Sequence, residues 1–578
     1  MYKKNIKHQQ PALISATSEL PEKQRTRLEN SWAGTFYKEF FCRIKEEPFS
    51  VLYSDLPSRP NVPVNVLIGL EALKAGFGWS DAELYDNYCY DLQVRYALGY
   101  DRLGDGDFEI RTLYYFRQRL SQYNAETGEN LLENAFEQIT DAQIVSLKVR
   151  TGMQRMDSTQ IASNIVSASR LQLLVESLQR VQRILSKADQ LRLAEVFAAY
   201  TQDSAGHYTY RIKGQEAQQE HLQKIGQAMH VLLADLKSAY AAEKAYQILE
   251  CIFNNNFHLL ESGPRAKENK ELTSDCLQSV DDLEATYRTK GTGHYRGYVA
   301  NLSETCDPEN ELQLITKVQV APNNIDDNQL LAEALPDLKQ RTELKTIYTD
   351  SGHAGPATDA VLQEQQVEHI QTAIRGITPN PEKLNLADFI IKFNEGGQPV
   401  KVTCPQGQTE TVQSTSRKKG FVAHFTAEVC LICPLADKCL TQPSSRNPYH
   451  HLRFTQADAR ASERRRCCQE QRKDGHNLRA AVEASVRSLK HPFPAGKLPV
   501  RGKFRVACLL IGSASMSNVR RIQRYLQAKA KPEKVQAVAP GEENRIQEQA
   551  RGSFLTFART ILPALYGPDR QKLLAAGC

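Results

Sequence analysis

The stretch His476-Asn-Leu-Arg-Ala-Ala-Val-Glu-Ala-Ser-Val-Arg-Ser-Leu-Lys490 constrains this chain more than any other. It contains no Pro or Gly. Leu478, Val482, Val486 and Leu489 recur at spacings of three and four, the period of an amphipathic helix. Arg479, Glu483, Arg487 and Lys490 share a neighbouring face. Between His476 and Ala530 stand eleven Lys/Arg and a single acid, Glu483. Two readings fit. Glu483 is an i,i+4 partner for Arg479 and Arg487 on a solvated helix, or it is a metal-binding carboxylate beside cations that hold phosphates.

The rest of the chain sets the context. Its 578 residues are 41% hydrophobic and 24% charged, a globular composition that suits roughly three or four domains. No apolar run approaches the roughly 18–20 residues of a membrane span, and the basic N-terminus lacks the apolar core of a signal peptide. The expectation is a cytoplasmic protein with reduced thiols, because thirteen Cys in a long chain do not resemble a disulfide framework. The net charge is only +6 but is unevenly spread, which points to a polyanion bound at one place.

Residues 1–150 read as a helical N-terminal domain. Val64–Ala75 is an apolar helix, Gly76-Phe-Gly-Trp79 breaks it, and Ser80 with Glu83 forms a capping box for the next. Asp107 or Glu109 opens a third helix carrying Arg111, Tyr114, Tyr115, Arg117 and Arg119. The pattern allows a helix-turn-helix-like DNA reader and equally an ordinary bundle. Residues 166–260 carry Leu171, Leu174, Val175, Leu178, Val181, Ile184 and Leu185 at helical spacing, an inserted bundle whose apolar stripe is core. Residues 261–290 read as a polar linker.

Two further carboxylates stand in strand-like surroundings. Asp157 follows Met153 and Met156 and precedes Ile161 and Ile165. Asp is depleted in strands, so Asp157 either caps a strand end through Ser158 or Thr159 or has a buried partner such as a metal. Gly293–Leu302 and Glu311–Ala321 form a hairpin. Asn323–Leu335 is a helix, Leu344–Asp350 a strand, Ala357–Gln365 a helix and Val367–Ala373 a strand. That order suits a mixed sheet flanked by helices, with Asp350 at the carboxyl end of its strand.

Asp157-Ser-Thr, Tyr-Thr-Asp350-Ser-Gly and the acidic helix together resemble a bacterial insertion-sequence transposase of the DDE type, which has a ribonuclease-H-like core. One group of these enzymes carries a third motif Y-x2-R-x3-E-x6-K. This chain has His476-x2-Arg479-x3-Glu483-x6-Lys490, departing only at His476. Gly297-Tyr298, the Asn323…Asp326-Asp327 turn, Leu56-Pro-Ser-Arg-Pro60 and Gly78-Trp-Ser80 are also similar to family features, and the resemblance spans roughly 50–525. It implies an α/β multidomain fold. A ribonuclease-H-like mixed sheet (151–165, 281–375 and 473–525) would carry a helical N-terminal domain (1–150), a helical insertion (166–280), a Cys-rich insertion (376–472) and a tail (526–578).

The resemblance also implies that Asp157, Asp350 and Glu483 bind two Mg²⁺ ions, the arrangement phosphodiester chemistry requires. His476, Arg479, Arg487, Lys490, Arg501 and Lys503 would contact DNA phosphates. The implied activity is binding of terminal inverted repeats, cleavage, and joining of 3′ ends to target double-stranded DNA, by a homodimer or larger assembly. The rival readings are a nuclease that does not join strands and a DNA-binding protein without catalysis.

Between Asp350 and Glu483 lie 132 residues. They include Cys404-Pro-Gln-Gly, Cys430-Leu-Ile-Cys433 and Cys439, spaced C-x25-C-x2-C-x5-C. Four cysteines with one C-x2-C predict a structural Zn²⁺, against unligated thiols. His450 or His451 could substitute as a ligand, and Cys467-Cys468 read as buried or incidental. Arg417-Lys-Lys419 and Arg464-Arg-Arg466, interleaved with Phe421, Phe425 and Phe454, suggest a DNA-facing surface or plain solvated charge. His491–Pro499 is a break, Val506–Met516 an apolar helix, 527–550 a polar linker and Phe554–Leu574 a short helix.

Overall fold

A computed structural model describes residues 1–9, 17–54, 56, 60–100, 102, 104–165, 168–372, 380, 382–394, 396–415, 420–474 and 478–530. His476, Arg417–Lys419, most of Leu56–Pro60 and Phe554–Leu574 lie outside them, as does the 527–550 stretch beyond Ala530. The chain divides into one compact unit, Met1–Arg524, and a second, Tyr525–Cys578.

The N-terminal helices form where local signals place them. Val64–Phe77 ends at Gly78, whose φ of 72° is left-handed. Asp81–Tyr90 begins at a full capping box: the Ser80 hydroxyl accepts from Glu83 N–H, and the Glu83 carboxylate accepts from Ser80 N–H. The helix expected to open at Asp107 or Glu109 begins at Arg111, after a short helix Leu92–Ala97, and runs to Thr127; it turns Arg117 inward, where it pairs with Glu71 at 2.6 Å and Asp81 at 2.9 Å. Arg117 is therefore held within the bundle, while Tyr114 and Tyr115 are exposed.

The central sheet is built from β1 (Met153–Ile161), β4 (Thr286–Lys290), β5 (Gly293–Thr305), β6 (Ile315–Pro322), β7 (Thr346–Thr349) and β8 (Glu368–Gln371), numbered with an intervening hairpin β2 (Phe257–Leu260) and β3 (Gly263–Ala266). Its strand path is β4-β5-β1-β7-β8, with β6 also paired to β5. β1, β7 and β8 run parallel, and β5 runs antiparallel to β1, β4 and β6. The helices Asp327–Arg341 and Pro356–Glu364 fill the crossovers. The 261–290 span is thus not a linker: it supplies β3 and β4. Both strands close tight local hairpins, β3 with β2 across Glu261-Ser262 and β4 with β5 across Gly291-Thr292, and it is the polar composition of the span that hides them.

Between β1 and β4 the inserted helices, chiefly Arg170–Ile184, Gln215–Tyr240 and Lys244–Asn256, enclose their own apolar core. Leu171, Leu174, Val175, Leu178, Val181 and Leu185 are buried there, whereas Ile184 is exposed. Beyond β8 the chain builds a second sheet, β9 (Ile390–Phe393), β10 (Pro399–Thr403), β11 (Thr409–Thr415), β12 (Gly420–Thr426), β13 (Gln442–Pro443) and β14 (Tyr449–Thr455), in the order β13-β14-β12-β11-β10-β9. Phe425 and Phe454 lie in its core, 2% and 5% exposed. They cannot stack on bases, because the alternation that looked like interleaving with basic residues is the inward face of this sheet. The architecture is mixed α/β and multidomain.

Candidate active site

β1 and β7 pair in parallel with Met153 opposite Thr346 and Arg155 opposite Tyr348. Two residues further along both strands stand Asp157 and Asp350. The register therefore delivers both carboxylates to the point where the β1–β7 pairing ends, at the carboxyl end of β7. Asp157 is mid-strand, opposite Leu302 of β5. Asp350 follows the last residue of β7 and caps the turn after it, accepting from Gly352 N–H at 2.9 Å and from His353 Nδ1–H at 2.6 Å.

Glu483 arrives on the Ala480–Lys490 helix, which packs against β1 through Val482, Ser485, Val486 and Leu489. Arg479, at its N-cap, joins the carboxylates. One arm of its guanidinium pairs with Asp157 at 3.0 Å and the other with Glu483 at 3.2 Å. Asp157 and Arg479 are 10% and 14% exposed, Glu483 63%. Burial pushes the Asp157 carboxyl up, against Arg479 and together with the nearby Asp350 charge. Burial also acts to raise Asp350, but the hydrogen bond and charge of His353, Gly352 N–H and Arg479 outweigh it and hold Asp350 well below the usual carboxylate range. Arg479 is raised because Asp157, Asp350 and Glu483 together exceed its desolvation. The three carboxylates, 193 and 133 residues apart in sequence, thus act on one guanidinium.

The helix is fixed by a buried carboxylate that the sequence did not single out. Glu304 on β5 is fully buried and pairs with Arg155 at 2.6 Å and Arg521 at 2.8 Å. It also accepts from the Ser485 hydroxyl at 2.7 Å, while Arg155 donates to Leu478 O at 2.7 Å. Such a group persists only when its charge is matched and its lone pairs are filled.

Two more residues belong beside Asp350. Among the described residues, Asp327, Asp350 and His353 are the one group of three His, Cys, Asp or Glu whose ligand atoms all lie within 4.8 Å of one another. Asp327 opens the 327–341 helix, is 4% exposed, and keeps a buried Oδ1 with no hydrogen-bond partner. His353 is fully buried, its Nε2 facing Asn301 Oδ1 at 3.4 Å. Hard carboxylate oxygens with one imidazole suit a divalent cation. A Cβ on Gly352 would sit 2.6 Å from Asp327 Oδ2 and 3.1 Å from Asp350 Oδ1, so only glycine leaves that cluster open. The signal in sequence was Asp327 at a turn already noted; His353 gave none.

Residues 403–523 match the family model of the transposase DDE domain. The chain therefore carries a DDE-family transposase domain over that span, which includes Glu483 and its helix but neither Asp157 nor Asp350. No curated protein and no solved structure matches the chain. The DDE-family domain and the Asp327–Asp350–His353 cluster are together consistent with metal-dependent, nuclease-type chemistry and with DNA as a partner. No helix of the described residues is long and apolar enough to cross a membrane.

Within the DDE-family span the expected phosphate contacts differ. Arg487 is exposed. Lys490 is half-buried and donates to Thr159 Oγ1 at 2.8 Å and Gln160 O at 3.2 Å. Its ammonium is pushed down by burial and by Arg487. Arg501 donates to Asn164 O and pairs with Asp281 at 3.0 Å, while Lys503 is exposed. Arg464 pairs with Asp359 at 2.9 Å, and Cys468 is buried with Cys467 half-buried.

Cys404, Cys430, Cys433 and Cys439 line one cavity of about 350 Å³ together with His450. Cys404 begins a tight turn in which Gly407, at φ 85°, donates to Cys404 O. Cys430 and Cys433 sit on a second turn, and Thr441 Oγ1–H donates to Cys439 Sγ at 3.3 Å. No three of these sulfurs reach the 4.8 Å mutual spacing of the Asp327 cluster. His451 faces His424 instead, at 2.8 Å.

Proposed function

We propose that this chain is a transposase of the DDE type, working in the cytoplasm on double-stranded DNA. It binds the terminal inverted repeats of a bacterial insertion sequence, hydrolyses the strand at the element's end, and joins the freed 3′-hydroxyl to target DNA as a homodimer or larger assembly. The observation that carries this reading is that Asp157 and Glu483, from a strand and a helix, share one guanidinium, Arg479, while the parallel β1–β7 register brings Asp350 alongside Asp157. The strand path β6-β5-β1-β7-β8, with β5 alone antiparallel, supports a ribonuclease-H-like core.

In this reading Asp157, Asp350 and Glu483, with the buried unpartnered oxygen of Asp327 beside Asp350, would hold two Mg²⁺ ions; the ligand atoms already gathered are those of Asp327, Asp350 and His353. The chemistry such ions would supply when bound is activation of the attacking hydroxyl and stabilisation of charge on the scissile phosphate. The chain's own part is geometric. β1 and β7 hold Asp157 and Asp350 in register, His353 orients the Asp350 carboxylate, and Glu304 seats the helix that presents Glu483. Arg479 positions a backbone phosphate through its planar fork, the exposed Arg487 and Lys503 offer further phosphate contacts, and His476 is assigned the same role on its place in the motif alone.

The four cysteines form a structural Zn²⁺ site in this reading. Side-chain rotation would have to draw the sulfurs in to metal bonds of about 2.3 Å. Purified protein should then contain one zinc per chain, and protein without it would remove the site.

The test of function uses DNA from the sequence flanking the reading frame. Wild-type protein in Mg²⁺ should cut at the repeat boundary and join the 3′ end to a second duplex. Glu483→Gln and Asp350→Asn should bind that DNA and not cut it. Normal cleavage by either variant would overturn the mechanism, and cleavage without joining would reduce the protein to a nuclease.

A further inference from the structure

Side chains alternate between the two faces of the β9–β14 sheet. One face is the core that holds Phe425 and Phe454, closed by Ala459 of the Gln456–Asp474 helix. The register defines the other. Lys392 of β9 stands opposite Lys401 of β10, Lys401 opposite Thr411 of β11, and His424 of β12 opposite His451 of β14. Val412 is opposite Ala423, which puts Thr411 beside His424. Directly opposed residues share a face, so these five form one row across the sheet. Tyr449 and Arg453 stand two residues either side of His451 on β14, and so on the same face.

This face is basic and has no counter-charge. Lys392, Lys401 and Arg453 are exposed, and among the described residues their side chains make no hydrogen bond or ion pair. Glu410 is the only acid in the six strands, and it lines the cysteine cavity on the other face. Like charges directly opposed across a strand pair are destabilising, so Lys392 against Lys401 costs the free protein stability that a bound anion returns. Rings lie beside the cations. His424 and His451 meet at 2.8 Å between their Nδ1 atoms, and the Tyr449 ring, 41% exposed, stands 6.0 Å from His424. The shape selects an unpaired strand. Six strands at about 4.8 Å make a face about 24 Å wide, twice the roughly 12 Å of a major groove, so these rings cannot reach the bases of a duplex. A single strand can lie flat on such a face, with phosphates on the cations and bases on the rings. The Gln456–Asp474 helix ties this sheet to the catalytic one, since its Arg464 pairs with Asp359 at 2.9 Å.

We propose that the outward face of the β9–β14 sheet binds single-stranded DNA, the strand left unpaired beside the cut. The source of that strand rests on the transposase reading; the binding itself rests on the sheet alone. Lys392, Lys401 and Arg453 take the phosphates, and Tyr449 stacks on a base.

The test is fluorescence anisotropy of labelled oligo(dT) with full-length protein in EDTA, over a range of salt, beside a duplex of equal length. Wild type should bind oligo(dT) more tightly than the duplex. Lys392→Gln and Lys401→Gln should each lower the salt slope by about 0.7, the value of one phosphate contact on a single strand. Lys401→Gln should also raise the urea midpoint of the free protein, because it removes the like-charge pair; a folding defect would lower it. Tyr449→Ala should weaken binding about tenfold, and Tyr449→Phe should keep it. If wild type does not bind oligo(dT), or binds it with slopes that neither lysine variant changes, the assignment falls and the transposase reading stands. If the duplex binds as tightly and suffers the same losses, the face is a duplex contact and the single-strand assignment falls. If oligo(dT) binds through these residues but the protein neither cuts nor joins DNA from the sequence flanking its reading frame, the face stands and the transposase reading falls.

Discussion

Arg479→Ala should loosen the site without metal and be rescued by it. In the folded chain the guanidinium neutralises Asp157, a carboxylate that is 10% exposed, at 3.0 Å. Removing one partner of a buried pair costs about 3–5 kcal/mol, because the remaining charge is left desolvated. The second arm, to the 63% exposed Glu483, is a screened i,i+4 pair worth only about 0.3–0.5 kcal/mol, so nearly all the loss belongs to Asp157. A drop of about 3 kcal/mol speeds local opening about 150-fold. Hydrogen exchange of the amides of β1 and the 480–490 helix reads it directly, and a multidomain chain calls for such a local probe. A divalent ion at 100 times its dissociation constant should return about 2.7 kcal/mol. It should protect Arg479→Ala more than wild type, where the ion competes with the guanidinium. Equal exchange of the two proteins in EDTA, or equal protection by Mg²⁺, would refute the reasoning.

Glu304→Ala should cost about 3–5 kcal/mol by leaving Arg155 and Arg521 buried and unpaired, and it should free the 480–490 helix; exchange at Val482–Leu489 would show it. Gly352→Ala should weaken divalent-ion binding, measured by calorimetry, because its Cβ would stand 2.6 Å from Asp327 Oδ2. His369 on β8 donates to or accepts from Thr349 Oγ1 at 2.7 Å; burial, helped by the charges of His353 and Arg464, lowers its pKa to about 3. The unfolded chain then takes up a proton that the native state refuses, so stability is lost as pH falls from about 6.5 towards 3, by about 1.4 kcal/mol per pH unit. Urea midpoints of His369→Gln should fall less steeply over that window than those of wild type.

The features legible from sequence are those whose partners are near in the chain. The spacing of Arg479, Glu483 and Lys490 needs only a helix to put them on one side. The Ser80–Glu83 capping box closes over one turn, and β5 and β6 pair across a short connection. The Cys404–Cys439 spacing brought four thiols to one cavity, because two tight turns set most of their positions. Tertiary structure alone decided the rest. Phe425 and Phe454 look available to DNA until β9–β14 close a core over them. Glu304 is an ordinary acid in an alternating strand; its burial between Arg155 and Arg521 joins residues 149 and 217 positions away. Asp327 and His353 join Asp350 because a helix start and a turn converge at one end of the sheet. Sequence carries the local periodicity that forms each element, but a charge is worth burying only beside a partner, and for these residues the partner comes from a distant part of the chain.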